Sequence, residues 1–255
     1  MPKIKQYVTG ISAVLIVMGT AAIAQSPAPC TEPVSLGALL LGSIPTVGAP
    51  YSATVRTTQD RIMPDGSVVH GSVITYQARD SAGRTWQKRS LGCQPGPDGV
   101  RRPVMQILVY DPGTATTISW KEDDPAKMIR VVPTQPVRLP PVKMDKRDVA
   151  DGLRAMEQMG WHVKDLGSRE IAGVIANGTR TDQTVAVQPG IDKPIHIVSE
   201  IWTYEGLNLQ MLSIDDNSMQ GRTVTEVVQL KQGYPYPALF VPPAGWKRVS
   251  TQSAR

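Results

Sequence analysis

The chain has 255 residues, a formal net charge of +5 and two cysteines. This length is sufficient for one domain with a substantial core. The basic excess is mild and spread along the chain, without the basic face and interleaved aromatic residues that nucleic-acid binding requires. The two cysteines also lack the spacing of a metal site. Composition therefore argues against nucleic acid as a partner and against a cysteine-based metal centre.

Residues 1–24 have the pattern of a cleaved secretory signal. Lys3 and Lys5 precede an apolar run over 8–18, and small residues follow up to Ala24. The apolar run is shorter than the about 20 residues that a membrane-spanning helix needs. We expect cleavage near Ala24, a periplasmic or secreted protein, and no integral membrane span in the mature chain. The alternative is an uncleaved membrane anchor.

Residues 25–50 form an N-terminal tail with a short apolar stretch, 35–44, that is compatible with a helical turn. Cys30 lies in this tail, and the second cysteine is Cys93. In an exported protein an even cysteine count favours a disulfide. A Cys30–Cys93 bridge would fasten the tail to the domain and add about 4 kcal/mol of stability in the chain-entropy model. Two unpaired thiols are the alternative.

A single β-rich domain is predicted over 51–250. Runs of β-branched and aromatic residues alternate with turn residues, which is typical of antiparallel strands. In the first half, strands are predicted over 51–62, 67–78, 85–91, 104–110, 115–120 and 127–132. Residues 93–99 contain Pro95, Gly96, Pro97 and Gly99, so a loop is expected there.

Two sheet halves are expected, joined by the proline-rich segment 133–144. The one clear helix is predicted over 145–159, where Val149, Leu153 and Met156 share a face and Gly160 suits the C-cap. The second half predicts strands over 164–171, 174–185, 195–204, 207–214 and 222–230, with a turn at 215–218.

The first hairpin of the second half has two possible turns. Ala172-Gly173 is one, and Asn177-Gly178 is locally the stronger hairpin signal. We favour Gly173, with Gly178 as a bulge or a close approach within a long strand. The closing arm, 234–246, holds the single phenylalanine and is expected to pack on the sheet.

No arrangement of residues predicts catalysis. His196 and Glu200 share a strand face but lie about 13 Å apart along it, too far to share one ion. There is no nucleophile elbow, phosphate loop or dinucleotide fingerprint. The acidic groups at 122–124 and 215–216 fall in predicted turns, where solvation explains them. We therefore predict no catalytic residue, no metal and no cofactor.

Large apolar residues on or beside the strands are the candidates for a ligand-binding surface. A curved sheet with a helix across it can enclose an apolar cavity. The candidate lining residues are Trp120, Trp161, Trp202, Leu209 and Met211. The alternative is that they simply fill the core, the usual location of such residues.

Several motifs resemble a group of uncharacterised secreted bacterial proteins. They are Asp-Leu-Gly-Ser-Arg-Glu-Ile-Ala-Gly-Val (165–174), Gly-Thr-Arg-Thr (178–181), Pro-Ile-His-Ile-Val-Ser-Glu-Ile-Trp (194–202) and Pro-Ala-Leu-Phe-Val-Pro-Pro-Ala-Gly-Trp (237–246). The strand succession and the Leu-Phe…Pro-Pro-Ala-Gly ending also resemble the LolA-type half-barrel of periplasmic lipoprotein carriers. That resemblance implies a curved antiparallel sheet wrapped around an apolar cavity.

The sequence thus predicts a mainly β (α+β) fold: a strongly curved antiparallel sheet, or open half-barrel, with one main helix. The leading functional hypothesis is a non-catalytic exported protein that holds an apolar or lipid-like ligand in the concavity of the sheet. The second is a protein-interaction module of the cell envelope that uses the sheet face or an edge strand. A hydrolase with residues distant in sequence is the third.

Overall fold

Strands dominate the described part of the chain. The computed structural model describes residues 45–96, 98–134, 146–187, 190 and 192–250, and of Lys146, Asp148 and Val149 only the backbone. The strands are β1 (Tyr51–Ile62), β2 (Val68–Arg79), β3 (Thr85–Pro95), β4 (Arg101–Asp111), β5 (Thr116–Lys121), β6 (Met128–Pro133), β7 (His162–Ile171), β8 (Val174–Val185), β9 (Ile195–Tyr204), β10 (Leu209–Asn217), β11 (Gly221–Gln232) and β12 (Lys247–Ser250). Helix α1 (Lys146–Gln158) precedes β7, and 3₁₀ turns occur at Glu205–Leu207 and Pro237–Phe240.

These strands form one sheet, in the order β12-β6-β5-β4-β3-β2-β1-β11-β10-β9-β8-β7. Neighbours are antiparallel except for β12, which runs parallel to β6. The order begins with β12 and ends with β7, so the sheet is open rather than closed into a barrel. The predicted fold class, a mainly β protein with an open curved sheet and one main helix, is confirmed.

Two short ladders divide the sheet into three segments. β2 pairs with β3 only through 76–79 and 85–88, and β10 pairs with β11 only through 212–217 and 221–226. The β2–β3 ladder lies beside Tyr51 and the β10–β11 ladder lies beside Arg61, at opposite ends of β1. The outer segments are therefore attached to the central strands β2, β1 and β11 at opposite ends.

The apolar core is divided between the two faces of the sheet. On β1, Tyr51, Ala53 and Val55 are buried in one cluster, with Leu209 and Met211. Side chains alternate between the faces of a strand, so Ser52 points the other way. Ala78 is paired with Ser52 and with Trp86, and both Ala78 and Trp86 belong to the second buried cluster. Because directly paired residues share a face, the second cluster lies across the sheet from Tyr51.

The hairpin between β7 and β8 has the predicted register. Its turn is Ala172-Gly173, with φ values of 48° and 80°. Gly178 lies inside β8, opposite Gly167. A Cβ on Gly178 would lie 2.7 Å from the ring of Trp202, so the glycine permits a close approach. The choice of Gly173 as the turn is confirmed, and the bulge of this hairpin lies on β7 between Asp165 and Gly167.

Two predicted loops, 93–99 and 215–218, begin later in the chain than expected. β3 continues through Cys93 to Pro95, because a register shift between Ser90 and Cys93 lets the strand stay paired with β4. β10 likewise continues through 215–217. The Asp215 carboxylate accepts hydrogen bonds from Ser199 on β9, at 2.7 Å, and from Ser213, at 2.6 Å, so its charge is accommodated within the sheet.

Helix α1 ends as predicted. Gly160 has φ +82°, and the backbone N–H of Trp161 donates to the Met156 carbonyl at 3.1 Å, which satisfies a terminal acceptor of the helix. Leu153 and Met156 are half-buried, and the helix contacts β7. No helix in the described ranges has the length and apolar character needed to cross a membrane. The predicted signal segment and helical turn 35–44 lie outside the described residues. Of the predicted connection 133–144, the structure describes only Pro133, which is the last residue of β6, and Thr134.

Candidate ligand-binding cleft

The five predicted lining residues do not form one surface. Trp202, Leu209 and Met211 are buried in the cluster around Tyr51, and Trp120 is buried in the cluster on the opposite face. Trp161 is half-buried just after α1. The five side chains are thus divided among three places, and their contact with a ligand stays a prediction.

Cys93 is buried on β3 and is not a free thiol. Its predicted partner Cys30 lies outside the described residues, so the Cys30–Cys93 bridge stays a prediction.

An open cleft of about 530 Å³ lies over the centre of the sheet. It is formed by four neighbouring strands, β11, β1, β2 and β3, and by the closing arm. The lining residues are Ser52, Ala53, Thr54, Tyr76, Gln77, Trp86, Lys88, Gln229, Leu230, Lys231 and Leu239. We call it the lysine cleft, after its two basic side chains. Its volume falls in the range of about 300–1,000 Å³ that is usual for small-molecule sites.

The strand register sets the floor of the lysine cleft as two cross-strand rows. One row runs Lys231, Ser52, Ala78, Trp86, and the next runs Gln229, Thr54, Tyr76, Lys88. Directly paired residues project from the same face, so both rows point into the cleft. Each row therefore has a lysine at one end, and the two lysines occupy diagonal corners.

The two lysines have different surroundings. The Lys88 ammonium is 2.7 Å from a carboxylate oxygen of Glu122, and its side chain is 26% exposed. Lys231 is exposed and makes no ion pair with any described residue. The positive charge of Lys88 is thus partly neutralised by Glu122, whereas that of Lys231 is available to a ligand.

The apolar wall of the cleft comes from Trp86, Tyr76 and Leu239. Trp86 is 9% exposed and Tyr76 is 44% exposed, so the first is part of the core and the second is a free surface. Leu239 belongs to the 3₁₀ turn Pro237–Phe240 and packs against the second cluster. The predicted packing of the closing arm on the sheet is confirmed.

The arm is held by the turn between β2 and β3. Phe240 is buried in the second cluster, and the Arg84 guanidinium lies 5.1 Å from the centre of its ring. Arg84 also donates to the Asp80 carboxylate at 2.6 Å. Asp80 in turn accepts from the backbone N–H groups of Ala82 and Arg84. This network fixes the turn, and with it the position of Leu239 over the cleft.

None of the histidines lines the lysine cleft. His70 is 2.7 Å from Asp60 on the exposed surface, and His196 is 3.1 Å from the Thr184 hydroxyl. Glu200, considered with His196 above, instead pairs with Arg180 at 3.1 Å. Among the described residues, no group of three or more histidine, cysteine or acidic side chains is placed to hold a metal ion. The cleft offers hydrogen bonds, positive charge and apolar area, which suit binding.

Several solved bacterial structures align with this chain at low similarity. An uncharacterized conserved protein from Thermus thermophilus shares 10% identity at a TM-score of 0.42, over 80% of this chain and 91% of that one. Lipoprotein LppX of Mycobacterium tuberculosis shares 12% identity at a TM-score of 0.31, over 73% and 85%. A putative outer membrane lipoprotein-sorting protein domain from Vibrio parahaemolyticus shares 6% identity at a TM-score of 0.28, over 74% and 88%.

No protein-family model matches the chain, and no curated protein matches its sequence. At such low similarity scores, function has to be argued from the residues of the cleft.

Proposed function

We propose that this is an exported, non-catalytic binding protein that holds an amphiphile in the lysine cleft. The anionic head of the ligand lies between Lys88 and Lys231, and its apolar chain lies against Tyr76, Trp86 and Leu239. The observation that carries the proposal is the placement of two lysines at diagonal corners around an aromatic and aliphatic wall.

The dimensions of the cleft suit a single head group. Four strands at the usual spacing, with the two lysines also two residues apart along the strands, place the Lys88 and Lys231 backbones about 16 Å apart. Lysine side chains are long and flexible, so the Lys231 ammonium can reach towards the middle of this span. The Lys88 ammonium is held by Glu122, at the end of β5 on the other side of β3, and binding a head group requires it to turn from Glu122 towards the cleft. A carboxylate or phosphate there receives charge-assisted hydrogen bonds from both sides.

The middle of the cleft is polar, which argues for an amphiphile over a purely apolar ligand. Ser52 and Thr54 contribute hydroxyl groups, and Gln229 contributes an amide whose Oε1 lies 3.3 Å from the Thr54 hydroxyl. Covering these groups with a hydrocarbon alone would remove their water without replacing its hydrogen bonds, which is costly. A head group that accepts and donates hydrogen bonds replaces that water.

The test is a titration with a dansyl-labelled fatty acid and, separately, with its methyl ester. The ester has the same chain without the charge. We expect Lys231→Met and Lys88→Met each to weaken binding of the acid about tenfold, the value of one charge-assisted hydrogen bond, and to change binding of the ester little. Lys164→Met, at an exposed lysine on β7, is the matched control.

Mass spectrometry of organic extracts from protein purified without detergent then identifies the natural ligand class. A stoichiometric anionic lipid supports the proposal. Equal binding of acid and ester by the unaltered protein would overturn the assigned role of the lysines, and binding of neither would overturn the proposal itself.

A further inference from the structure

β2 and β3 are paired at one end only and diverge beyond it. They are paired only through 76–79 and 85–88, although β2 begins at Val68 and β3 continues to Pro95. β2 is paired with β1 along its whole length, so its chain is held extended on that side. Within the described part of the chain, residues 68–75 therefore have no partner strand on the side facing β3. We call this stretch the open edge.

The corresponding edge of β3 is less available for pairing with an added strand. On β3, the Cys93 carbonyl accepts a hydrogen bond from the Arg101 side chain at 3.1 Å. The Gly92 N–H is 3.2 Å from the Ser90 hydroxyl. A register shift between Ser90 and Cys93 also interrupts the regular strand geometry. Of the two strands, β2 thus has the more regular edge, to which a further strand can add.

The open edge lacks the features that protect exposed strands from pairing. Natural edge strands carry lysine, proline or bulges, or are very short. Strand β12, at one end of the sheet, has only four residues and begins Lys247-Arg248, and β7, at the other end, contains four charged residues in its ten: Lys164, Asp165, Arg169 and Glu170. The open edge reads Val-Val-His-Gly-Ser-Val-Ile-Thr, without lysine, proline or a bulge.

Apolar side chains stand exposed along this edge on both faces. Val68 and Ile74 are 48% and 39% exposed on one face, and Val69 is 43% exposed on the other. They precede Tyr76, which borders the lysine cleft. A strand added here gains main-chain hydrogen bonds and covers apolar area on alternate residues, as in peptide recognition by β-strand addition.

We infer that the open edge is a docking site for an extended peptide of a partner protein, with an acidic residue that faces Arg89. Arg89 lies on β3, directly after the last residue that pairs with β2. Its guanidinium donates to the neutral Gln106 amide oxygen at 3.1 and 3.2 Å. Among described residues it makes no ion pair. A second copy of this chain, pairing through the same edge, brings no acid, since 68–75 contain none. Charge complementarity therefore selects a partner peptide over self-association.

The test uses a soluble nine-residue peptide of alternating valine and threonine with a central glutamate, and a matched peptide with glutamine there. Residue-resolved hydrogen exchange is measured on the full chain. We expect alternate amides in 68–75, those directed away from β1, to exchange quickly in the free protein and to become protected when the glutamate peptide is added. A peptide N-methylated at alternate amides has no such effect.

Two variants identify the contacts. Ile74→Lys places a charged side chain on the open edge, of the kind that prevents strand addition, and is expected to abolish the peptide-induced protection of the amides in 68–75. Arg89→Gln removes the preference for the glutamate peptide, expected to be about twofold to fivefold for an exposed ion pair. Neither variant removes a residue that lines the lysine cleft, and binding of the dansyl methyl ester, which carries no charge, should be retained by both. Failure of this inference is therefore distinguishable from failure of the lysine cleft. Protection of these amides without peptide, whether constant or rising with protein concentration, would overturn the inference.

Discussion

Tyr76 and Lys88 face one another as the last pair of the short ladder between β2 and β3. Both also line the lysine cleft, because they project from the face that carries Thr54 and Gln229. Beyond this pair the two strands separate. One pair of residues therefore ends the ladder, begins the open edge and forms a wall of the proposed ligand site.

Glu122→Gln is expected to tighten binding of the anionic amphiphile. Glu122 lies 2.7 Å from the Lys88 ammonium and competes with a ligand head group for it. Removing the carboxylate charge frees Lys88, with an expected gain of up to about fivefold for such a partly exposed pair. Titration with the dansyl fatty acid measures the gain, and the methyl ester should show none.

The double variant Lys88→Met/Glu122→Gln tests whether this gain acts through Lys88. Once Lys88 is absent, the Glu122 change should have no effect of its own, because coupled residues behave non-additively. Weaker binding by Glu122→Gln alone would contradict the assignment of Lys88 to the head group.

The strands of this fold could be predicted because each one carries its own pattern. The bounds of β1, β8 and β9 agree with the sequence prediction, since alternation and turn residues are local properties. The sequence does not predict the extension of β3 to Pro95, because a strand with a register shift can carry glycine and proline at its end. A local sequence pattern does not show how far along the chain a strand stays paired with the neighbouring strand.

The lysine cleft could not be predicted, because it depends on the order of strands. Lys231 and Lys88 are distant in sequence, and they approach only because β11 returns beside β1. In sequence each lysine is typical of a solvated strand face. The sequence makes Trp202, Leu209 and Met211 candidates through their size, and size alone does not distinguish a ligand-binding residue from a core residue.

Arg79→Met is expected to destabilise the fold strongly. Arg79 is fully buried, and burial lowers the pKa of its guanidinium from the ordinary value. It donates to the Ala49 carbonyl at 2.8 Å and to the Leu207 carbonyl, and lies 4.8 Å from the centre of the Tyr51 ring. Methionine leaves two buried acceptors without donors, at a cost of about 3 kcal/mol in the free energy of unfolding.

Urea unfolding measures the effect of the Arg79 change. Arg222→Met, at an exposed arginine on β11, is the control and should stay within about 0.5 kcal/mol of the unaltered protein. Equal stability of the two variants would show that Arg79 does not hold the segments around Ala49 and Leu207 together.

Arg102→Met is expected to raise the pKa of the Asp98 carboxyl towards its ordinary value of about 3.9. Asp98 lies in the turn between β3 and β4. Arg102, near the start of β4, donates to both Asp98 oxygens, at 2.8 and 2.5 Å, and these bonds hold that pKa well below the usual range. A depressed carboxyl pKa stabilises the fold above the unfolded-state pKa, and this stabilisation is lost as pH falls through the folded-state value. NMR titration of the Asp98 carboxyl in both proteins measures the change, and identical midpoints would contradict it.

Gly178→Ala is expected to destabilise the protein by about 1–3 kcal/mol, the usual cost of overpacking. The new Cβ would lie 2.7 Å from the Trp202 ring, which is also 4.5 Å from the Arg169 guanidinium and only 6% exposed, so the ring has little freedom to move. Gly152→Ala in α1 is the matched control, because nothing lies within 4 Å of its added Cβ. That control should be stabilised by up to about 1 kcal/mol through helix propensity. Unfolding in urea distinguishes the two, and a Gly178→Ala protein as stable as the unaltered one would show that the Trp202 ring can move away from β8.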